Sequence, residues 1–151
     1  MIIETIDLFL KQSKKNELST KCYLSSYKDC KVKVSFGKGR ISNVPWIAFL
    51  KGNNEIRSGI YPVILYYKKI ETIVIAFGIG TYFEAIKEWE IEKKYKSKTI
   101  KNQLSKNYDG IIPYGKCYIY SFYEVNDKLD LNVINDDIDS VIEIYKGNNA
   151  K

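Results

Sequence analysis

The residues of this chain best suited to chemistry are aromatic and basic. Tyrosine occurs 13 times among 151 residues. Trp46, Tyr61, Tyr66, Tyr67, Tyr114, Tyr118, Tyr120 and Tyr123 fall in or beside segments that read as strands. Such rings can fill a sheet core, and two or three of them can also stack on a planar base while offering a polar tip. Gly37-Lys38-Gly39-Arg40 sets two cations on a glycine-flanked turn, where they can reach a ligand. This Gly-x-Gly lacks the third glycine and leads towards Pro45 rather than into a helix, and Gly78-Ile79-Gly80 is likewise incomplete, so neither is a nucleotide fingerprint. The second pattern reads as a turn ending a strand. Glu92-Lys93-Lys94 matches half of a metal-dependent nuclease motif, but it sits in a charged run and reads as solvated surface.

Histidine is absent, which removes imidazole bases, Ser-His-Asp and Cys-His nucleophile pairs and histidine metal sites. The three cysteines, Cys22, Cys30 and Cys117, are widely spaced and suggest neither a zinc site nor a disulfide framework. The reading is a cytoplasmic chain with no cofactor, no membrane span and no secretory signal.

Net charge is +6, and it is unevenly spread. From Lys21 to Arg57 there are eight basic residues against two acids, whereas from Glu124 to Lys146 there are seven acids against two lysines. The first segment is the candidate face for a polyanion, with the acidic end turned elsewhere.

These groups need a scaffold. Ile3, Ile6, Phe9 and Leu10 at helical spacing predict an amphipathic helix over residues 3–16. Strict alternation over residues 31–36 predicts a strand with Val32, Val34 and Phe36 inward. Residues 46–50 read as a buried strand. Residues 61–67 and 72–77 read as a hairpin turned at Lys68-Lys69-Ile70-Glu71. Residues 82–95 favour helix, and Ser97 is a candidate cap for a short helix bearing Ile100, Leu104 and Tyr108. Residues 117–125 read as a strand. Ile134, Ile138, Val141, Ile142 and Tyr145 form the stripe of a closing helix, with Asp136, Asp137 and Asp139 assigned to its first turn and Gly147 after its end. The expected architecture is one α+β domain over residues 1–151, a mostly antiparallel sheet flanked by helices.

Three stretches carry a resemblance. Lys33-Val34-Ser35-Phe36-Gly37, then Val44-Pro45-Trp46-Ile47-Ala48-Phe49-Leu50, then the run from Ser58 to Lys68 resemble the N-terminal DNA-binding domain of the McrB family of modified-cytosine-specific, GTP-dependent restriction subunits. Leu18-Ser19-Thr20-Lys21, Ser26-Tyr27 and Tyr114-Gly115-Lys116 fit as well, and residues 82–98 match poorly. The resemblance implies a non-catalytic module that binds double-stranded DNA and flips a methylated cytosine, preceded by a purine, into a pocket. It implies as partners an AAA+ GTPase module in the same chain and a nuclease subunit. No Walker A motif occurs here.

Carried over by position, the pocket is Trp46, Leu65 and Tyr114 with Tyr61 nearby. The DNA-entering loop is Gly37, Lys38, Gly39, Arg40, Ser42 and Asn43. Lys21, Tyr23, Lys33, Arg57 and Ser58 would hold phosphates. The family can carry an aromatic wedge between the glycines, where this chain has Lys38, so that wedge is not carried over. Two other classes compete with this reading: a protein-interaction module using the acidic last helix, and a metal-dependent nuclease.

Overall fold

A computed structural model describes residues 2–51, 60–80, 94–95 and 98–148. The first helix, α1 (Ile3–Gln12), buries Ile6, Phe9 and Leu10. It stops short of residue 16. After Gln12 the backbone tightens into three-residue hydrogen bonds, Lys14 N–H to Lys11 and Lys15 N–H to Gln12. The Gln12 amide meanwhile donates to the carbonyls of Glu17 (3.2 Å) and Ser19 (2.7 Å), organising the exit loop.

Six strands follow: β1 (Ser26–Tyr27), β2 (Cys30–Ser35), β3 (Trp46–Leu50), β4 (Ile60–Tyr67), β5 (Thr72–Ile79) and β6 (Tyr118–Glu124). They form one antiparallel sheet in chain order, each strand paired with its sequence neighbour. A three-residue 3-10 turn, Lys68–Ile70, joins β4 to β5, and Glu71 closes it in the left-handed region. All eight residues of β4 are buried, so both faces of the sheet are covered there.

Register and alternation sort the side chains into two faces. Val32, Val34, Ile47, Phe49, Ile64, Ile73 and Ile75 share the back face with Tyr27, Ser121 and Tyr123. These last three reach the closing helix, α3 (Leu131–Asn148). Tyr27 donates its hydroxyl to Asp139 at 2.6 Å. Ser121 (2.7 Å) and Tyr123 both donate to one carboxylate oxygen of Asp137. Asn135, itself buried, accepts the backbone N–H of Ile2 at 3.0 Å and clasps the two ends of the described fold together.

The expected apolar stripe of α3 is fully buried. Its start differs from expectation. Asp130 accepts the N–H of Asn132 at 2.9 Å and caps the helix, so Asp136, Asp137 and Asp139 lie in the second and third turns. There Asp137 and Asp139 serve as acceptors for sheet and neighbouring side chains, and Asp136 is exposed. Gly147 lies inside the last turn.

The front face carries Lys31, Lys33 and Ser35 of β2, Trp46 and Ala48 of β3, Tyr61, Val63, Leu65 and Tyr67 of β4, and Val74, Ala76 and Gly78 of β5. It is roofed by α2 (Ile100–Leu104) and the chain that follows to Cys117. Thr99, not Ser97, caps α2 by accepting the N–H of Asn102 at 3.2 Å; Ser97 itself lies outside the described residues. Tyr108 falls beyond the helix end and sets its ring edge-on to Tyr67, 6.0 Å between centroids. Of the expected helix over 82–95, only Lys94 and Tyr95 are described, and they are helical; Glu92 and Lys93 lie outside the described residues. Among the described residues no helix is long and apolar enough to cross a membrane.

Candidate nucleic-acid interface

Trp46 opens β3 immediately after Pro45, a position where a proline costs the sheet no ladder bond. The carbonyl of Pro45 accepts the N–H of Tyr66 at 3.0 Å, and that of Asn43 accepts Lys68 N–H at 3.2 Å, so the segment before the strand is already fastened to β4. Trp46 lies in register with Leu65 and is half-buried, whereas Leu65 is fully buried beside it. Tyr61, two face-repeats before Leu65 on β4, is buried too. Its ring packs against Gly78, its cross-strand partner. A Cβ at Gly78 would come within 2.5 Å of that ring. The glycine therefore makes room for Tyr61 inside β5, and does not form the strand-ending turn expected of it.

Tyr114 stands over this strip from the roof. It is 44% exposed and holds a left-handed backbone, φ +59°, an uncommon conformation for a bulky residue. The segment before it is pinned: Tyr67 donates its hydroxyl to the Pro113 carbonyl at 2.6 Å, and Ile112 is buried. Burial pushes the Tyr114 phenol above its ordinary value, and the nearby Trp46 indole N–H opposes that shift. The indole and the phenol are therefore neighbours over this strip. Burial, reinforced by the neighbouring Cys117 and Tyr114, raises the phenols of Tyr61 and Tyr67 as well. All four pocket residues expected from the sequence lie on or over one face of the sheet.

The loop after β2 runs back towards β3. Gly37 adopts φ +119° and Gly39 φ +75°. A Cβ on Gly37 would lie 2.1 Å from the Arg40 carbonyl oxygen, so no other residue fits without moving the loop. Ser42 N–H closes it onto the Phe36 carbonyl at 2.8 Å, and the Ser42 hydroxyl accepts Val44 N–H at 3.0 Å. Lys38, Gly39, Arg40 and Asn43 are exposed and Ser42 is half-buried. Because Ser35 pairs with Trp46, the loop leaves the sheet beside the tryptophan.

The remaining expected contacts are dispersed. Lys33 is exposed on the front face together with Lys31. Lys21 is exposed on the loop before β1. Tyr23 packs on Phe36 and donates its hydroxyl to Gln12 of α1 at 2.9 Å, so its phenol is engaged inside the protein. Arg57 and Ser58 lie outside the described residues.

Sequence reasoning passed over three contributors. Tyr67 anchors the roof. Lys68 donates its ammonium to the Ser42 carbonyl at 3.4 Å and ties the β4–β5 turn to the glycine loop. Ile111 projects from the roof beside Tyr114 and is 95% exposed. Lysines in a turn and an isoleucine in a loop carry no local signal; only the folded neighbourhood selects them. Among the described residues no group of three or more Cys, Asp and Glu is placed to hold a metal ion.

Comparison with known proteins assigns the chain to a family. Over 144 residues, 93% of this chain, the sequence is 36% identical to the type IV methyl-directed restriction enzyme EcoKMcrB subunit of Escherichia coli K12. The match covers 31% of that relative, so the chain spans about a third of its length. The model of the MrcB-like, N-terminal domain family matches residues 4–149, essentially the whole sequence, and the chain belongs to that family.

Proposed function

We propose that this domain binds double-stranded DNA and recognises a methylated cytosine that follows a purine, by receiving the flipped base between Trp46 and Tyr114. It would act as the non-catalytic specificity module of a methyl-directed restriction system, with an AAA+ GTPase module and a nuclease subunit as its partners. The observation that carries this reading is the front-face strip. A half-buried tryptophan, a buried leucine in register with it and a partly exposed tyrosine near it lie next to exposed Lys31, Lys33, Lys38 and Arg40.

A paired base hides its faces, so a pocket that encloses the methyl group needs an extruded nucleotide. Trp46 and Tyr114 supply stacking surfaces, and Leu65 supplies apolar contact for the methyl group. The lysines and Arg40 grip phosphates without reading sequence. Entry of a base requires Trp46 and Tyr114, which lie near one another, to receive a third ring between them, so only a base that stacks well repays the rearrangement. The competing use of the acidic last helix as a docking surface is disfavoured, since Asp137 and Asp139 are occupied by Ser121, Tyr123 and Tyr27.

The test compares binding to one duplex with and without 5-methylcytosine, over a salt series. Expected are tighter binding to the methylated duplex and a steep fall of affinity with salt. Trp46→Ala should cost about 1–3 kcal/mol on the methylated duplex and less on the unmodified one. Circular dichroism checks that the variant is folded. A folded variant with undiminished discrimination places the pocket elsewhere, and a wild type that binds both duplexes equally refutes the reading.

A further inference from the structure

The roof segment from Tyr108 to Cys117 is held at several points. Tyr108 packs against Tyr67, the Pro113 carbonyl receives the Tyr67 hydroxyl, and Ile112 is buried. The carbonyls of Gly115 and Cys117 accept the N–H groups of Lys101 and Ile100, both at 2.9 Å. Between these fixed points Gly110 turns the chain with φ +87°, and the next residue, Ile111, stands in solvent at 95% exposure. No described residue of this chain presents a more exposed large apolar side chain.

A single exposed apolar residue is ordinary on a protein surface. This one is different in placement. It is a branched aliphatic side chain on a braced tip, three residues from Tyr114. From the start of α2 to Cys117 the exposed lysines Lys101, Lys106 and Lys116 outnumber the one acid, Asp109. An aliphatic tip within a cationic surround suits a partner that is polyanionic outside and apolar between its layers, which describes stacked bases in a duplex. Isoleucine is among the side chains that such proteins insert between base steps.

We propose that Ile111 is an apolar wedge that enters the duplex at the base step beside the flipped nucleotide. This rests on the DNA-flipping reading above and adds to it a second point of entry, independent of the Lys38 loop. The two tips divide the work by chemistry. Lys38 and Arg40 can satisfy phosphates and base edges but cannot replace lost stacking. Ile111 can cover the exposed ring surface of the base pair next to the gap. Because the roof holds Tyr114 and Ile111 on one braced segment, insertion of the wedge and closure of the pocket are mechanically joined.

Ile111→Ala tests this on the whole chain, with two probes. One is a duplex carrying paired 5-methylcytosine. The other carries the same base opposite a mismatch, where opening costs little. The expected result on the paired duplex is a loss of about tenfold or more, the scale of burying one aliphatic side chain. On the mismatched duplex the loss should stay within about threefold. Ile111→Leu should restore binding, and the thermal midpoint should not move, since Ile111 is almost wholly exposed. Unchanged binding of Ile111→Ala to the paired duplex overturns the wedge, and so do equal losses on both probes. A wild type that ignores methylation overturns the flipping reading itself, whatever Ile111 does.

Discussion

The two faces of the sheet use the same residue types to opposite ends. On the back face, half-buried Tyr27 and Tyr123 reach past the sheet to aspartates of α3, and both hydroxyls meet a carboxylate. On the front face, Trp46 and Tyr114 are neighbours and both are partly exposed. A charge-assisted tyrosine–carboxylate bond is costly to lose, whereas partly exposed rings can meet a ligand without breaking one. The back face is tied by such bonds, and the front face leaves Trp46 and Tyr114 accessible. Tyrosine content alone therefore says little about function; what each hydroxyl is bonded to decides it.

Substitutions can separate the faces. The largest effect is expected from Ile64→Ala, at the centre of the back face and fully buried. It should cost about 2–5 kcal/mol of stability in denaturant unfolding. At a temperature where the variant is folded, its preference for methylated DNA should be unchanged. A lost preference would show that the faces are not independent.

Gly78→Ala comes next. Its Cβ would press on the Tyr61 ring from 2.5 Å, within a strand where neither can easily retreat. A cost of about 1–3 kcal/mol is expected from the overpacking. Here discrimination should fall along with stability, because the displaced ring borders the pocket. If stability alone suffers, Tyr61 belongs to the core and not to the site.

The smallest effect is a pH dependence on the back face. Burial first, and then the hydrogen bond to Asp137, push the Tyr123 phenol up to about 12 from its ordinary value of 10.0. A group whose value is raised on folding contributes stability that is complete below the unfolded value and disappears as pH climbs through the folded one. Stability should therefore decline between about pH 10 and 12. Tyr123→Phe should flatten part of that decline in pH-dependent thermal melts, with the other raised tyrosines sustaining the rest. An unaltered alkaline profile would mean that the Asp137 bond contributes nothing.

Periodicity made much of this scaffold legible. The alternation of β2 and the stripe of α3 are local patterns, and both fold as read. The glycine loop was legible too, because positive φ at Gly37 is a demand that residue type reveals. Partnerships across the sheet were not. That Trp46 faces Leu65 depends on the register of two strands whose pairing neither encodes alone. The aspartates of α3 were misplaced for a related reason: a dipole argument sets acids at a helix start, but here Asp137 and Asp139 answer tyrosines and a serine supplied by other elements. Pocket positions came from resemblance, which transmits register that spacing cannot. Ile111 came from neither, since its significance lies in how its neighbours are held.

The clasp between Ile2 and Asn135 joins residues 133 positions apart, whereas each strand pairs only with the next along the chain. Loop-closure entropy makes distant contacts slow to form and neighbouring hairpins quick. On this topology the meander is expected to assemble progressively, with the terminal clasp closing after the rate-limiting barrier. An interaction formed that late leaves the folding rate nearly untouched and retards escape from the native state. The clasp is then a kinetic lock: its contribution is to the lifetime of the folded domain more than to the speed with which it is reached.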